Sequence, residues 1–526
     1  MNRREFLKSM ALGALAATLP GAAGGRSKSA PNVVFFLVDD LGWSDVGCYG
    51  SSFYDTPNID ALAQDGVRFT DAYAACHVCS PTRASILTGK YPARLHLTDW
   101  LPGRREFPFQ KLKNAEIHQY LPLEEVTLAE VLKRHGYSTA IFGKWHLGEE
   151  PNGPNAQGFD VQIPKWNKGW PKAGYHAPFE LNGLEDAEGD YLTDRLTDEA
   201  LSFIERNKDG PFFLYFSHFA VHDPIEGRSD LVNEYKEKLS EMPRQKGAPY
   251  ILEGNPDTET PLSREELDAL VGEEPYEGYR VLPNQTVKIK QHQDNVQFAG
   301  MVESMDESLG RVCAKLEDLG IADNTIVIFF SDNGGMSAAN FGDPGRVVPA
   351  TELDRAYSTS NLPLRGAKGW LYEGGIRVPM IVKWPRGGNH GTVCDVPVIS
   401  TDFFPTILDM AGLPLRPEHH PDGVSLVPLL KGEKKLERDA IYWHFPHYSN
   451  HGMQSPGGAI RSGDYKLLEY YENGTVQLFN LREDLGEQND LSRSQPKRAA
   501  ELRAKLHAWR DDVSARMMSP NPDYAP

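Results

Sequence analysis

Asn32-Val33-Val34-Phe35-Phe36-Leu37-Val38-Asp39-Asp40 is the stretch that decides the fold. Seven uncharged residues, mostly β-branched or aromatic, predict a strand buried on both faces, as in the middle of a parallel sheet. The run stops at two carboxylates. Working outward, three more apolar runs end in the same way. Residues 138–142 lead into Gly143-Lys144-Trp145-His146-Leu147-Gly148, and 211–216 precede His218, His222 and Asp223. Residues 325–330 stop at Ser331-Asp332-Asn333-Gly334-Gly335. Amphipathic helical stretches separate these runs, one of them at 302–319. The expected class is therefore α/β, a large mixed but mostly parallel sheet sandwiched by helices.

Open sheets of this kind bind ligands outside the carboxyl ends of their strands. One acidic pair after a strand is commonly a solvated turn or a helix cap. Four neighbouring strands would instead gather Asp39, Asp40, Asp332, Asn333, Lys144 and the histidines at one edge. Asp39, Asp40, Asp332 and Asn333 offer only oxygen, which suits a hard cation such as Ca²⁺ or Mg²⁺ rather than zinc. Such a dication would relieve the mutual repulsion that otherwise raises carboxylate pKa values.

Beyond about residue 430 the pattern changes. Residues 464–470 and 475–481 alternate around Glu472-Asn473-Gly474, a hairpin signal, and 496–513 places Ala499, Leu502, Leu506, Trp509 and Val513 on one helix face. A smaller C-terminal antiparallel sheet plus helix is expected over 431–526, after a larger domain at 31–430. The polar stretch 223–292 is expected to be a surface excursion near the pocket mouth.

Composition limits the function. The 526 residues carry 73 acidic and 55 basic side chains, a net charge of -18, so broad binding to nucleic acid is excluded as a reading. Residues 1–30 read as an export signal of the twin-arginine type: Arg3-Arg4 before Glu5-Phe6-Leu7-Lys8, a short apolar run at 10–19, and small residues at 21–25. Asn2 stands where Ser or Thr is usual. The expected destination is the bacterial periplasm or the medium. No later run reaches a spanning length, so no stable membrane anchoring is expected after signal cleavage. Five cysteines are too few for a disulfide scaffold. Cys76 and Cys79 form a C-x-x-C pair, for which a dithiol redox site and a plain buried thiol both stay open.

Cys79-Ser80-Pro81-Thr82-Arg83 also opens a short helix with a glycine stop at Gly89, placing Cys79 at a helix N-terminus. Together with Ala84-Ser85-Ile86-Leu87-Thr88-Gly89 it resembles the signature of the formylglycine-dependent sulfatases of the alkaline phosphatase superfamily. The resemblance continues in D-D-L-G-W at 39–43, T-P-N-I-D at 56–60, G-K-W-H-L-G at 143–148, S-D-N-G-G at 331–335, L-R-G-A-K at 364–368 and E-G-G-I-R-V-P at 373–379.

It implies an alkaline phosphatase-like fold and sulfate ester hydrolysis. Cys79 would be oxidised by a formylglycine-generating maturation enzyme to Cα-formylglycine, whose hydrate attacks sulfur and later expels sulfate. Asp39, Asp40, Asp332, Asn333 and the modified Cys79 would bind one Ca²⁺ per chain. Arg83, Lys144 and Lys368 would hold the diol, sulfate and leaving oxygens. His146 would be the base, and His222 the acid or sulfate ligand, although Val221 replaces the usual proline before it. Asp99 and Trp100, with His444 and His447 in the aromatic stretch 442–448, are candidate substrate contacts. Resemblance to the bacterial relatives of arylsulfatase A and galactosamine-6-sulfatase implies exo-desulfation of a galactose-type sulfated carbohydrate. A phosphonate or phosphate monoester hydrolase of the same superfamily and an inactive sugar-binding pseudoenzyme are the alternatives.

Overall fold

The computed structural model describes residues 30–340 and 345–525. The expected signal at 1–30 lies, but for Ala30, outside the described residues. Eight strands form the main sheet: β1 (Asn32–Val38), β2 (Val67–Phe69), β3 (Ser138–Gly143), β4 (Val161–Ile163), β5 (Phe212–Ser217), β6 (Thr325–Ser331), β7 (Met380–Lys383) and β8 (Thr392–Cys394). Their order is β8-β2-β7-β6-β1-β5-β3-β4. β7 runs against both of its neighbours, and every other pair is parallel. The four runs read from the sequence are thus consecutive neighbours, β6-β1-β5-β3. Their carboxyl ends share one edge, because Val38 pairs with Ser331, Leu37 with Ser217 and Gly143 with Ser217.

The side chains of β1 alternate between two helical layers, as strand geometry requires. Val34, Phe36 and Val38 pack into a cluster with Leu196 and Phe203 of α2 (Leu192–Arg206) and Met305 and Leu309 of α3 (Val296–Asp318). Phe35 points the other way and meets Phe403 edge-on at 4.8 Å. Phe403 begins a helix that packs beside α1 (Cys79–Thr88). The sandwiched, mostly parallel sheet is the expected fold class.

Downstream, β9 (Ile441–Phe445), β10 (Gly457–Ser462), β11 (Tyr465–Tyr470) and β12 (Val476–Asn480) make a four-stranded antiparallel sheet in sequence order. Helix α4 (Pro496–Asp512) covers it with Ala499, Leu502 and Leu506 against Ile460, Leu467 and Leu478.

The stretch 223–292 differs from its expectation. Only Asp223–Glu226 line the central cavity. The remainder builds two helices, Ser229–Glu241 and Arg264–Leu270, and a pair of antiparallel strands, Tyr250–Gly254 with Thr286–Lys290, held by Asn255 to Ser455 and by Asp257 to the backbone of Glu472 and Asn473. Those polar anchors tie the segment after the first of these strands to loops of the C-terminal sheet, while the helix Ser229–Glu241 packs on α3.

Candidate active site

The site grows from four strand ends. Asp39 and Asp40 follow β1, and Asp40 takes a left-handed backbone (φ 62°), an uncommon state for a residue with a Cβ. Asp40 N–H donates to Asp332 Oδ1 at 3.2 Å, and Asn333 Nδ2 donates to Asp40 Oδ1 at 2.8 Å. The turns after β1 and β6 are thereby locked together. Gly143 ends β3 with φ 99°, and a Cβ there would lie 1.9 Å from Ser217 O. Only glycine lets the Lys144–His146 turn approach β5 so closely.

Cations lie directly on these acids. Lys144 Nζ, fully buried, donates to Asp39 Oδ2 at 2.5 Å, and Lys368 Nζ donates to Asp40 Oδ2 at 2.7 Å. Arg83, 1% exposed, meets Asp332 Oδ2 through Nε (2.9 Å) and Nη2 (2.7 Å), while Nη1 donates to Ser217 Oγ and Lys144 O. His222 presents Nε2 3.8 Å from Asp40 Oδ2 and donates from Nδ1 to Asp223. Burial and Lys368 oppose its charge, yet Asp40, Asp223 and Asp39 raise it to about 9, an imidazolium at neutral pH.

Cys79 is the first residue of α1, where helix N–H groups and dipole favour developing negative charge. Its Sγ lies 3.2 Å from His146 Nδ1, and His146 Nε2 lies 2.6 Å from Leu101 O. The carbonyl fixes the proton on Nε2, which leaves the Nδ1 lone pair facing residue 79. Burial and the nearby Lys144 hold His146 well below its ordinary range, so it is a neutral acceptor. Cys76 lies buried nearby; all five cysteines are free thiols, and burial pushes the Cys76 thiol up, away from reactive thiolate character.

The donor set fits a hard dication. Asp39 Oδ1 and Asn333 Oδ1 are buried acceptors without a donor among the described residues, a costly state that a cation would relieve. Burial, with Asp332 alongside, lifts Asp39 to about 8, so its charge is under-compensated by protein groups alone. Ligand atoms of Asp39, Asp40 and His222 also fall within 4.8 Å of one another. Asp39, Asp40, Asp332 and Asn333 offer four oxygen side chains against the single imidazole Nε2, and that oxygen set is the better match to calcium.

Above this floor is a cavity of about 570 Å³. Cys79, His146, His222, Lys368 and Trp100 line it, five of the residues singled out from sequence. Of the four candidate substrate contacts, only Trp100 lines it; Asp99, His444 and His447 do not. Asp99 is buried in its own turn, accepting from the N–H groups of Trp100 (2.8 Å) and Arg104 (3.3 Å), and burial lifts it to about 7. His444 spends both ring nitrogens inside the fold, on Tyr471 Oη (2.8 Å) and Arg516 O (2.9 Å). His447 Nε2 bonds Thr98 Oγ1 at 2.8 Å. Internal partners hold each of the three away from this cavity, and Asp99 and His447 line a separate surface pocket instead. Sequence reasoning missed Trp170, Glu226, Arg346, Arg355 and His451 in the cavity wall. The paired tryptophans of Trp166-Asn167-Lys168-Gly169-Trp170 were the one available signal; Arg355 ends a short 3-10 segment and the others stand in unpatterned loops.

Comparison with known proteins gives the family of the chain. The family model described as "Sulfatase" matches residues 31–413, and one described as "N-sulphoglucosamine sulphohydrolase, C-terminal" matches 367–514. A "Sulfatase" of Formosa agariphila is 30% identical over 96% of this chain and 94% of its own. N-acetylgalactosamine-6-sulfatase of Homo sapiens is 30% identical over 80% of this chain and 70% of its own. Among solved structures, Ps i-CgsB in complex with k-i-k-neocarrahexaose superposes with a TM-score of 0.68 at 26% identity, covering 92% of this chain and 93% of that one.

Proposed function

We propose, from the premise that the chain belongs to the sulfatase family and is a sulfuric ester hydrolase, that it removes sulfate from the end of a galactose-type sulfated carbohydrate. The observation that carries this reading is the cavity floor. A residue able to become an aldehyde stands at a helix N-terminus, 3.2 Å from a neutral histidine acceptor. Lysine and arginine cations and under-satisfied oxygens surround it.

Asp39, Asp40, Asp332 and Asn333 would hold Ca²⁺, which supplies a fixed positive charge for the reacting oxygens. Residue 79, oxidised to formylglycine, supplies a hydrated aldehyde that accepts the sulfuryl group and gives it up by elimination, which a serine could not do.

The other side chains follow from their contacts. His146 Nδ1 takes the proton from the hydrate at residue 79, its tautomer set by Leu101 O. His222, charged and exposed to the cavity, gives a proton to the departing sugar oxygen. Lys368, which lines the cavity, uses one N–H on Asp40 and keeps two for sulfate oxygens, while Lys144 lies beneath it as a buried charge on Asp39. Arg83 holds Asp332 and the Lys144 turn in register. Pre-aimed cations in a dry floor stabilise the charge that spreads over a transferring sulfuryl group.

The sugar assignment draws on the Trp100 and Trp170 surfaces of the cavity, suited to stacking on a pyranose. It also draws on the relatives that act on or bind sugars. Maturation by a formylglycine-generating enzyme, export by the twin-arginine route and residence in the periplasm or medium belong to the same proposal. Among the described residues no helix is long and apolar enough to cross a membrane.

The test is sulfate release from galactose 4- and 6-sulfates, N-acetylgalactosamine 6-sulfate and sulfated galactan, alongside 4-nitrophenyl sulfate and an aryl phosphonate ester. The mass of the residue 79 peptide is measured on the same preparation. Sugar sulfates cleaved at chain ends, with a peptide lightened by aldehyde formation, are expected. Faster turnover of the phosphonate, internal desulfation only, or full activity with an intact thiol would each overturn the corresponding part.

A further inference from the structure

His451 lines the cavity with Cys79, His222 and Lys368, yet none of the motifs contains it. It is 4% exposed, and neither Nδ1 nor Nε2 has a hydrogen-bond partner among the described residues. Native folds avoid a buried imidazole with two unmet nitrogens unless a ligand or water meets them.

Its backbone, by contrast, is tied at every side. Ser449 Oγ donates to His451 O at 3.0 Å and accepts from His451 N at 3.1 Å. His451 bridges to Asn340, and Gly452 N donates to Ala339 O. Gly369, next to Lys368, has φ 86°, and a Cβ there would lie 2.5 Å from both His451 Cβ and His451 O. The glycine after Lys368 is thus what lets the His451 loop close onto the site. A ring with no internal partner, on a backbone with many, is placed for something that enters the cavity.

The chemistry of that partner can be narrowed. Sulfate oxygens only accept, and cations already serve them. A neutral imidazole offers one donor and one acceptor, and burial together with Lys368 keeps His451 in that form. A hydroxyl is the group that both donates and accepts. We propose that His451 is a substrate-binding residue whose imidazole hydrogen-bonds a sugar hydroxyl beside the sulfated position. This rests on the carbohydrate reading above.

The experiment compares wild type, His451→Ala and His451→Gln. Substrates are whichever sugar sulfate of the panel is cleaved fastest, analogues of it lacking one ring hydroxyl at a time, and 4-nitrophenyl sulfate. His451→Ala is expected to lower kcat/KM for the sugar roughly ten- to hundredfold, chiefly through KM, the scale of one lost buried hydrogen bond. It should leave 4-nitrophenyl sulfate within about threefold. One deoxy analogue should be cleaved equally by both proteins, and His451→Gln should recover part of the loss. Equal losses on sugar and aryl substrates, or a loss that no deoxy analogue erases, would show that the ring serves the fold and overturn the proposal. Undiminished sugar turnover by His451→Ala would overturn it alone. A wild type that cleaves no sugar sulfate would overturn the carbohydrate reading as well, so the two failures are distinct.

Discussion

Two clusters of buried charge lie in this molecule. At the strand ends, Asp39, Asp40 and Asp332 face Arg83, Lys144 and Lys368. Behind the C-terminal sheet, Lys466 Nζ sits 2.9 Å from both Glu373 and Glu487, and Arg377 and Arg461 share Asp71. Both are almost wholly buried, and both balance acids against bases. They differ in the chemistry beside the charges. In both clusters each charged group has an ion partner, and in the second Glu487 Oε1 accepts no hydrogen bond while Asp71, Arg377 and Arg461 border a cavity of about 560 Å³. In the first, Asp39 Oδ1 and Asn333 Oδ1 have no donor, and the neighbouring His146, His222 and Lys368 open on a cavity. Neither buried charge nor an unmet oxygen beside a cavity is therefore enough to mark a site; the first cluster adds residue 79 at a helix N-terminus, 3.2 Å from a neutral His146.

The sharpest way to break that contrast is to remove one group from each side. Cys79→Ala is expected to lower sulfate release by roughly 10⁴-fold or more, the scale of losing a covalent nucleophile. Its thermal midpoint should stay near wild type, because a small side chain at a cavity floor supports little packing. Lys466→Met should do the reverse. It strands buried Glu487 and leaves Glu373 with Arg377 alone, at a cost of about 3–5 kcal/mol, while specific activity of the folded fraction is kept. Urea unfolding with an aryl sulfate assay measures both. Activity lost without stability in Lys466→Met would mean that the second cluster is not merely structural.

A smaller effect is expected from chelation. If the oxygens of the first cluster hold calcium, EGTA should lower both activity and unfolding temperature, and added Ca²⁺ should restore them. An ion present at a hundred times its dissociation constant stabilises by about 2.7 kcal/mol. Asp39→Asn should abolish the Ca²⁺-dependent part of the shift; a shift that survives in that variant would place the ion elsewhere.

The same contrast explains what could be read in advance. β1 and its three neighbours are uniformly apolar because both faces are buried, and their polar ends are abrupt, so strand and site residue are written side by side. The hairpin at Asn473-Gly474 is equally local. Asp99 misled because an acid beside a tryptophan resembles a binding rim, whereas its partners are backbone N–H groups that leave no mark in composition. His444 lies in β9, where position alone does not say that Tyr471 and Arg516 wait for it. His451 was illegible for the opposite reason. Its place in the cavity depends on closure against Gly369, hundreds of residues from the first motif, and a free ring has no partner to betray it.

His444 also supplies the smallest and most pointed test of that placement. With Nε2–H donating to Arg516 O, Nδ1 must accept from the Tyr471 hydroxyl, so the fold holds the neutral ring. Burial lowers its pKa from 6.5 to about 4. Between those values the unfolded chain binds the proton more readily than the native one. The stabilisation from His444 is therefore fully present above pH 6.5 and is lost as pH falls through about 4. His444→Gln should be less stable than wild type at pH 7, and the gap should narrow by on the order of 1–2 kcal/mol at pH 5. Other titrating groups are common to both proteins and cancel in that difference. A gap independent of pH would mean that the ring is not held neutral. A loss of sugar turnover without a loss of stability would return His444 to the substrate side of the molecule.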